Sequence, residues 1–153
     1  MSYTRRGVVT QSAADTFTQS VIDTNITVDG KAGWEITAFS AYWSNAEAMP
    51  AADIEVNAVL STQATTVTTF DQDEEIIRLN WGFANIAGVA VVVPVDMVKR
   101  EILFSPRLTV QPLLYVGASS VNTGLTVVIY YEIVYDIVKL TDLEVLRLLQ
   151  GGA

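Results

Sequence analysis

The chain contains no cysteine and no histidine. The first absence excludes disulfides, thiolate zinc sites and cysteine nucleophiles; the second removes the commonest general base and metal ligand. Without thiols, the compartment cannot be read from redox chemistry. Bases are scarce as well, nine against seventeen acids, for a net charge of -8. Between Lys31 and Arg78 there is no basic residue at all, while Glu35, Glu47, Asp53, Glu55, Asp71, Asp73, Glu74 and Glu75 fall in that stretch, so the whole imbalance sits there. Bulk attraction to nucleic acid is not expected of such a chain. Arg5 and Arg6 are too few to make a basic arm.

Long apolar runs are missing too. Mean hydropathy is +0.34 and 50% of residues are hydrophobic, yet no run approaches the roughly twenty uninterrupted apolar residues of a spanning helix. No membrane span is expected. The opening MSYTRRGVVTQSAAD has two arginines but no apolar segment behind them, so it does not read as a secretory signal, and the mature protein is expected to be the whole chain. Its first residues, 1–15, are polar, rich in small side chains and without sustained periodicity, which predicts a flexible N-terminal arm.

What the chain has is strand pattern, within a length of 153 residues that fits one domain, here 16–153. The organising stretch is GLTVVIYYEIVYDIVKL. Its odd positions Leu125, Val127, Ile129, Tyr131, Ile133, Tyr135 and Ile137 are all large and apolar, the alternation of a strand with one face on a core. Its even positions are mixed, and a strand of about fourteen residues runs through the middle of a sheet rather than along its edge. Then TDLEVLRLLQ switches to helix over 142–150. Thr141 and Glu144 make a capping box, Leu140 and Val145 a hydrophobic staple, and Gly151 a stop. Leucines and valine cover an arc of roughly 220° on this helix, wider than one packed surface needs.

Before that tail, TFTQSVIDTNITV alternates through Ile22, Thr24, Ile26 and Val28, and the Asp29-Gly30 turn signal predicts an antiparallel pair with WEITAFSAYW. IEVNAVLST, the threonine-rich stretch from Thr65 to Phe70, IIRLNWGF, Val89 to Val95, REILF and LTVQPLLYV read as further strands. Ser105-Pro106 reads as a break, Pro112 as an edge or bulge, and GASSVNTG as the loop into the final strand. About eight strands at irregular spacing, with little helix outside the tail, make a β-sandwich. Long connections and a central last strand make it a single eight-stranded jelly roll.

This strand series from Phe17 onward, the arm before it and the terminal GLTVVIYYEIVYDIVKLTDLEVLRLLQ together resemble the small single-jelly-roll capsid and virion proteins of viruses and phages. The resemblance lies in architecture and style, not in a diagnostic motif, and covers most of the chain. It implies a structural, self-assembling virion protein that contacts copies of itself and other virion proteins. The missing Arg/Lys-rich arm favours a shell or surface role over genome binding.

No constellation here supports an enzyme, a cofactor or a metal site. Asp71, Asp73, Glu74 and Glu75 crowd four carboxylates together, an oxygen-ligand pattern for calcium. They lack the loop glycine and later bidentate acid of an EF-hand and read as a solvated loop. Trp34, Tyr42, Trp43 and Trp81 could form a sugar platform, which makes a carbohydrate- or ligand-binding sandwich the competing reading. Strand alternation, however, sets Trp34 and Tyr42 on one face and Trp43 on the other, so core packing is preferred. Glu132 and Asp136 share a face roughly 13 Å apart along the strand, beyond the carboxylate spacing of either glycosidase mechanism. Nucleophile motifs and phosphate-binding glycine loops are absent.

Overall fold

The computed structural model describes residues 1–26, 31–44, 53–64, 75–83, 99–110 and 112–149. They form β1 (Ser2–Thr10), β2 (Phe17–Asp23), β3 (Ala32–Trp43), β4 (Ile54–Ser61), β5 (Glu75–Phe83), β6 (Lys99–Val110), β7 (Leu113–Val121), β8 (Val128–Lys139) and α1 (Asp142–Leu149). Four antiparallel ladders pair these strands from the ends of the sequence inward: β1 with β8, β2 with β7, β3 with β6, β4 with β5. The chain is one long hairpin, with its tip between β4 and β5, rolled up on itself. Ladders of β3 with β8 and β4 with β7 close the roll. Two four-stranded sheets result, β1-β8-β3-β6 and β2-β7-β4-β5. This is a jelly roll.

The core lies between the sheets. β8 turns Ile129, Tyr131 and Ile133 inward, as its alternation demands, and sits between β1 and β3. Opposite it, β3 buries Trp34 and Ile36 and then Phe39, Ala41 and Trp43. The parity changes from even to odd because the register shifts between Ile36 and Ala38. Thr37 is the extra residue, and its hydroxyl donates to the Val134 carbonyl at 3.1 Å. A bulge of this kind puts two residues of one strand against one of the other, so the inward set continues after the slip. Trp34 and Trp43 therefore share the inner face and Tyr42 points outward, which corrects the face assignment made from strict alternation. Trp34 also stacks on Tyr135, ring centroids 3.7 Å apart.

The edge strands β1 and β2 are fastened by aromatic rings on glycines. Tyr131 lies over Gly7, its ladder partner, and Phe17 lies over Gly117, so that an added Cβ at either glycine would run into the ring. Burial pushes the Tyr131 phenol above its usual pKa.

Several sequence expectations need correction. Residues 2–10 are not a flexible arm but the edge strand β1. Almost all of its side chains are exposed, so no apolar periodicity marks it; its backbone ladder to β8 and the Tyr131 ring hold it. The strand from Phe17 does not pair with β3. Each crosses to the opposite sheet, because a turn signal encodes a reversal of direction and not the partner. β6 continues as one strand across Ser105-Pro106, although its ladder to β3 is interrupted there. Leu103 faces Ala38 while Leu108 faces Ile36, so the proline sits in an irregular stretch of an edge strand, where its missing N–H breaks no inner ladder. LTVQPLLYV is two strands of different sheets joined at Pro112, whose carbonyl accepts from the Thr24 N–H and hydroxyl. Gly117 to Val121 belongs to β7 instead of a loop. The Asp29-Gly30 turn, the stretches Thr65 to Phe70 and Val89 to Val95, and Gly151 lie outside the described residues.

Gly7→Ala should destabilise the chain by about 1–3 kcal/mol, the usual range for overpacking. Urea unfolding of Gly7→Ala, Tyr131→Ala and the double variant checks this, since the Gly7→Ala effect should shrink once the ring is gone.

Candidate functional site

The outer face of the β1-β8-β3-β6 sheet carries Glu132 and Asp136, the acid pair singled out in the sequence, together with Glu35. Along it, Arg6 Nε donates to Glu132 at 2.6 Å, and Arg107 donates to Glu35 at 2.8 Å and to Asp136 at 3.1 Å. The Glu35 bond and charge, with a smaller contribution from Asp136, hold the Arg107 guanidinium above its usual pKa. Asp136 Oδ1 is buried and has no partner among the described residues, so one guanidinium answers two facing carboxylates. Glu132 and Asp136 stay apart, each held by its own arginine.

Bases do not converge. Arg5 and Arg6 lie on β1, whereas Lys99, Arg100 and Arg107 lie on β6 at the opposite edge of the same sheet, about 14 Å away at three strand spacings. Three of the four aromatics proposed as a platform, Trp34, Trp43 and Trp81, are buried in the core. The calcium candidates Asp71, Asp73 and Glu74 lie outside the described residues. Among the described residues no group of three acids is placed to hold a metal ion.

Sequence reasoning missed a shallow cleft of about 230 Å³ on this face, lined by Arg6, Ser40, Tyr42, Tyr130 and Glu132 among others. Tyr42 and Tyr130 are direct ladder partners, as are Ser40 and Glu132. The bulge at Thr37 is what turns Ser40 and Tyr42 outward, and nothing in the sequence pattern marks it.

No protein-family model matches the sequence, and no curated protein matches it. The chain is similar to two virus structures. A structure of turnip yellow mosaic virus is 14% identical, with 91% of this chain and 95% of that chain covered and a TM-score of 0.34. One of Desmodium yellow mottle tymovirus is 9% identical, with 93% and 91% covered and a TM-score of 0.32. No residue role is carried over from either.

At the end of the sandwich where β1 stops, a second polar cluster was also missed. Asp15, in the left-handed region at φ 54, accepts from the Thr123 N–H at 2.8 Å, the Thr123 hydroxyl at 2.9 Å, Ser120 Oγ at 3.2 Å and the Gly124 N–H at 3.3 Å. Buried Gln11 joins in, donating to Ser120 Oγ and the Thr16 carbonyl and accepting from the Val127 N–H at 2.7 Å. Together they tie the β1–β2 loop to the β7–β8 loop. The cluster does structural work: each oxygen is spent on loop backbone or a neighbouring hydroxyl.

Desolvation raises the Asp15 carboxyl, but the bonds from Thr123, Gly124 and Ser120 together outweigh it and bring its pKa below the ordinary 3.8. A carboxylate lowered in the folded state adds stability above its unfolded pKa, and that stability is lost as pH falls through the lower folded value. Asp15→Asn should therefore be less stable than the parent at neutral pH, and the gap should narrow below pH 3.8. Asn tolerates the left-handed conformation, so backbone strain does not intrude. Thermal melts of both proteins across acid pH check this.

Proposed function

We propose that the chain is a structural, self-assembling virion protein, a shell subunit without catalytic activity. Its partners are copies of itself and other virion proteins, and its place is the virion. The observation that carries this reading is helix α1. Its capping box is formed, with Glu144 accepting from the Thr141 N–H at 2.7 Å and hydroxyl at 2.8 Å, and those bonds lower the Glu144 carboxyl below its usual pKa. Lys31 anchors its first turn through Asp142 at 2.8 Å. One side is half-buried through Val145 and Leu148, while Leu143 and Leu146 on the other are 58% and 51% exposed.

Ile137, at the end of β8 that leads into the helix, is likewise more than half exposed. Large apolar side chains gathered at one end of a small domain favour burial against another subunit. Each leucine so buried contributes about 1.5–3 kcal/mol, and repeated contacts around a shell multiply weak ones. Net charge and the spread of the bases over opposite sheet edges favour assembly without nucleic acid.

Sedimentation velocity and negative-stain microscopy of nuclease-treated protein should show closed particles or a defined oligomer; a 16.7 kDa monomer at micromolar concentration would overturn the reading. Leu143→Glu with Leu146→Glu should keep the β-type circular dichroism and lose most assembly, because both side chains are exposed. A chain ending at Leu140 should do the same. The cut belongs after Leu140 because that residue is buried against Gly33.

A further inference from the structure

We propose that the cleft on the outer face of the β1-β8-β3-β6 sheet binds a single neutral pyranose ring. Its floor is Ser40, only 7% exposed, whose hydroxyl has no hydrogen-bond partner among the described residues and opens into the cleft. Its walls are Tyr42 and Tyr130, direct partners across the β3–β8 ladder whose rings stack neither on each other nor on any other described ring. Neither phenol is hydrogen-bonded within the described residues. Arg6 and Glu132 form the rim, joined at 2.6 Å.

Each feature narrows the ligand. An unpartnered hydroxyl lining the cleft would be left unsatisfied under hydrocarbon, which argues against a purely apolar guest. Three hydroxyls that donate and accept, a guanidinium that only donates and a carboxylate that only accepts match a ligand carrying several hydroxyls of its own. Two unstacked tyrosine rings offer apolar faces beside those polar groups, as the C–H faces of a pyranose require. Because Arg6 and Glu132 neutralise one another, the cleft holds no net charge for an ionic ligand to meet. Its volume of about 230 Å³ falls below the roughly 300–1,000 Å³ of sites for larger ligands, which limits it to about one ring.

This site does not depend on assembly. Saturation-transfer difference NMR on the full chain, with the methyl glycosides of glucose, galactose, mannose and N-acetylglucosamine as probes, reads ligand contact in a monomer or a particle alike. Failure here and failure of the shell reading are therefore separate results. At least one glycoside should show transfer concentrated on one face of its ring. Tyr130→Ala, at an exposed position, should abolish it. Ser40→Ala, which keeps the shape of the floor, should weaken binding roughly three- to tenfold, and Leu103→Ala, on the same sheet outside the cleft, should leave it unchanged. Near-UV circular dichroism confirms that each variant keeps its fold. Absence of transfer from every glycoside, or transfer that survives Tyr130→Ala undiminished, would each overturn the proposal.

Discussion

The pleat must keep one face of each strand on the core, and in the β3–β8 ladder that constraint is met at Thr37. Across the β3–β8 ladder, the inward residues of β8 are odd-numbered throughout, whereas those of β3 are even up to Ile36 and odd from Phe39. Thr37 absorbs the difference as a bulge secured by its hydroxyl on Val134. A one-residue slip without it would turn Phe39, Ala41 and Trp43 to the outside. The inner core and the outer cleft have the same origin, because the slip that buries Trp43 also sends Ser40 and Tyr42 outward.

Around that ladder the roll is held by different means at its edges. β1 buries little beyond Val9, yet it is bound by a full backbone ladder, by the Tyr131 ring over Gly7 and by the Arg6–Glu132 pair. Exposed ion pairs of this kind add little each, so the ring and the ladder dominate. β2 mirrors the arrangement, with its own Phe17 covering Gly117 of β7. Asp15 and Gln11 then lock the connection between β1 and β2 onto the β7–β8 loop. Loop tethering and edge-strand docking thus reinforce each other at one end, while the opposite end carries the helix and its exposed leucines.

These two ends and the outer face divide the surface by chemistry. Leu143, Leu146 and Ile137 offer apolar area without shape that would select a small molecule, which suits contact between subunits. The outer cleft sets the apolar faces of Tyr42 and Tyr130 beside open hydroxyls and a neutralised ion pair, which suits a small ligand with both an apolar face and hydroxyls. The two roles make no competing demand on any one side chain.

By itself the sequence determined what depends on local periodicity and local capping. Odd-numbered burial from Ile129 to Ile133 in the final strand, its central place in a sheet, the Thr141–Glu144 box and the sandwich class were legible, because alternation and caps act over a few residues; Ile137, on the same alternation, is exposed because the strand runs out past the core toward the helix. Burial of the tryptophans followed from their apolar bulk. Only the tertiary structure decided which strands pair, that residues 2–10 are a strand, that Ser105-Pro106 lies inside β6, and which way Tyr42 faces. Those outcomes rest on contacts between residues far apart in the chain. A backbone ladder leaves no trace in side-chain pattern, and a bulge reverses parity without changing composition, so neither Ser40 with its open hydroxyl nor the Asp15 cluster could be read before the strands were in register.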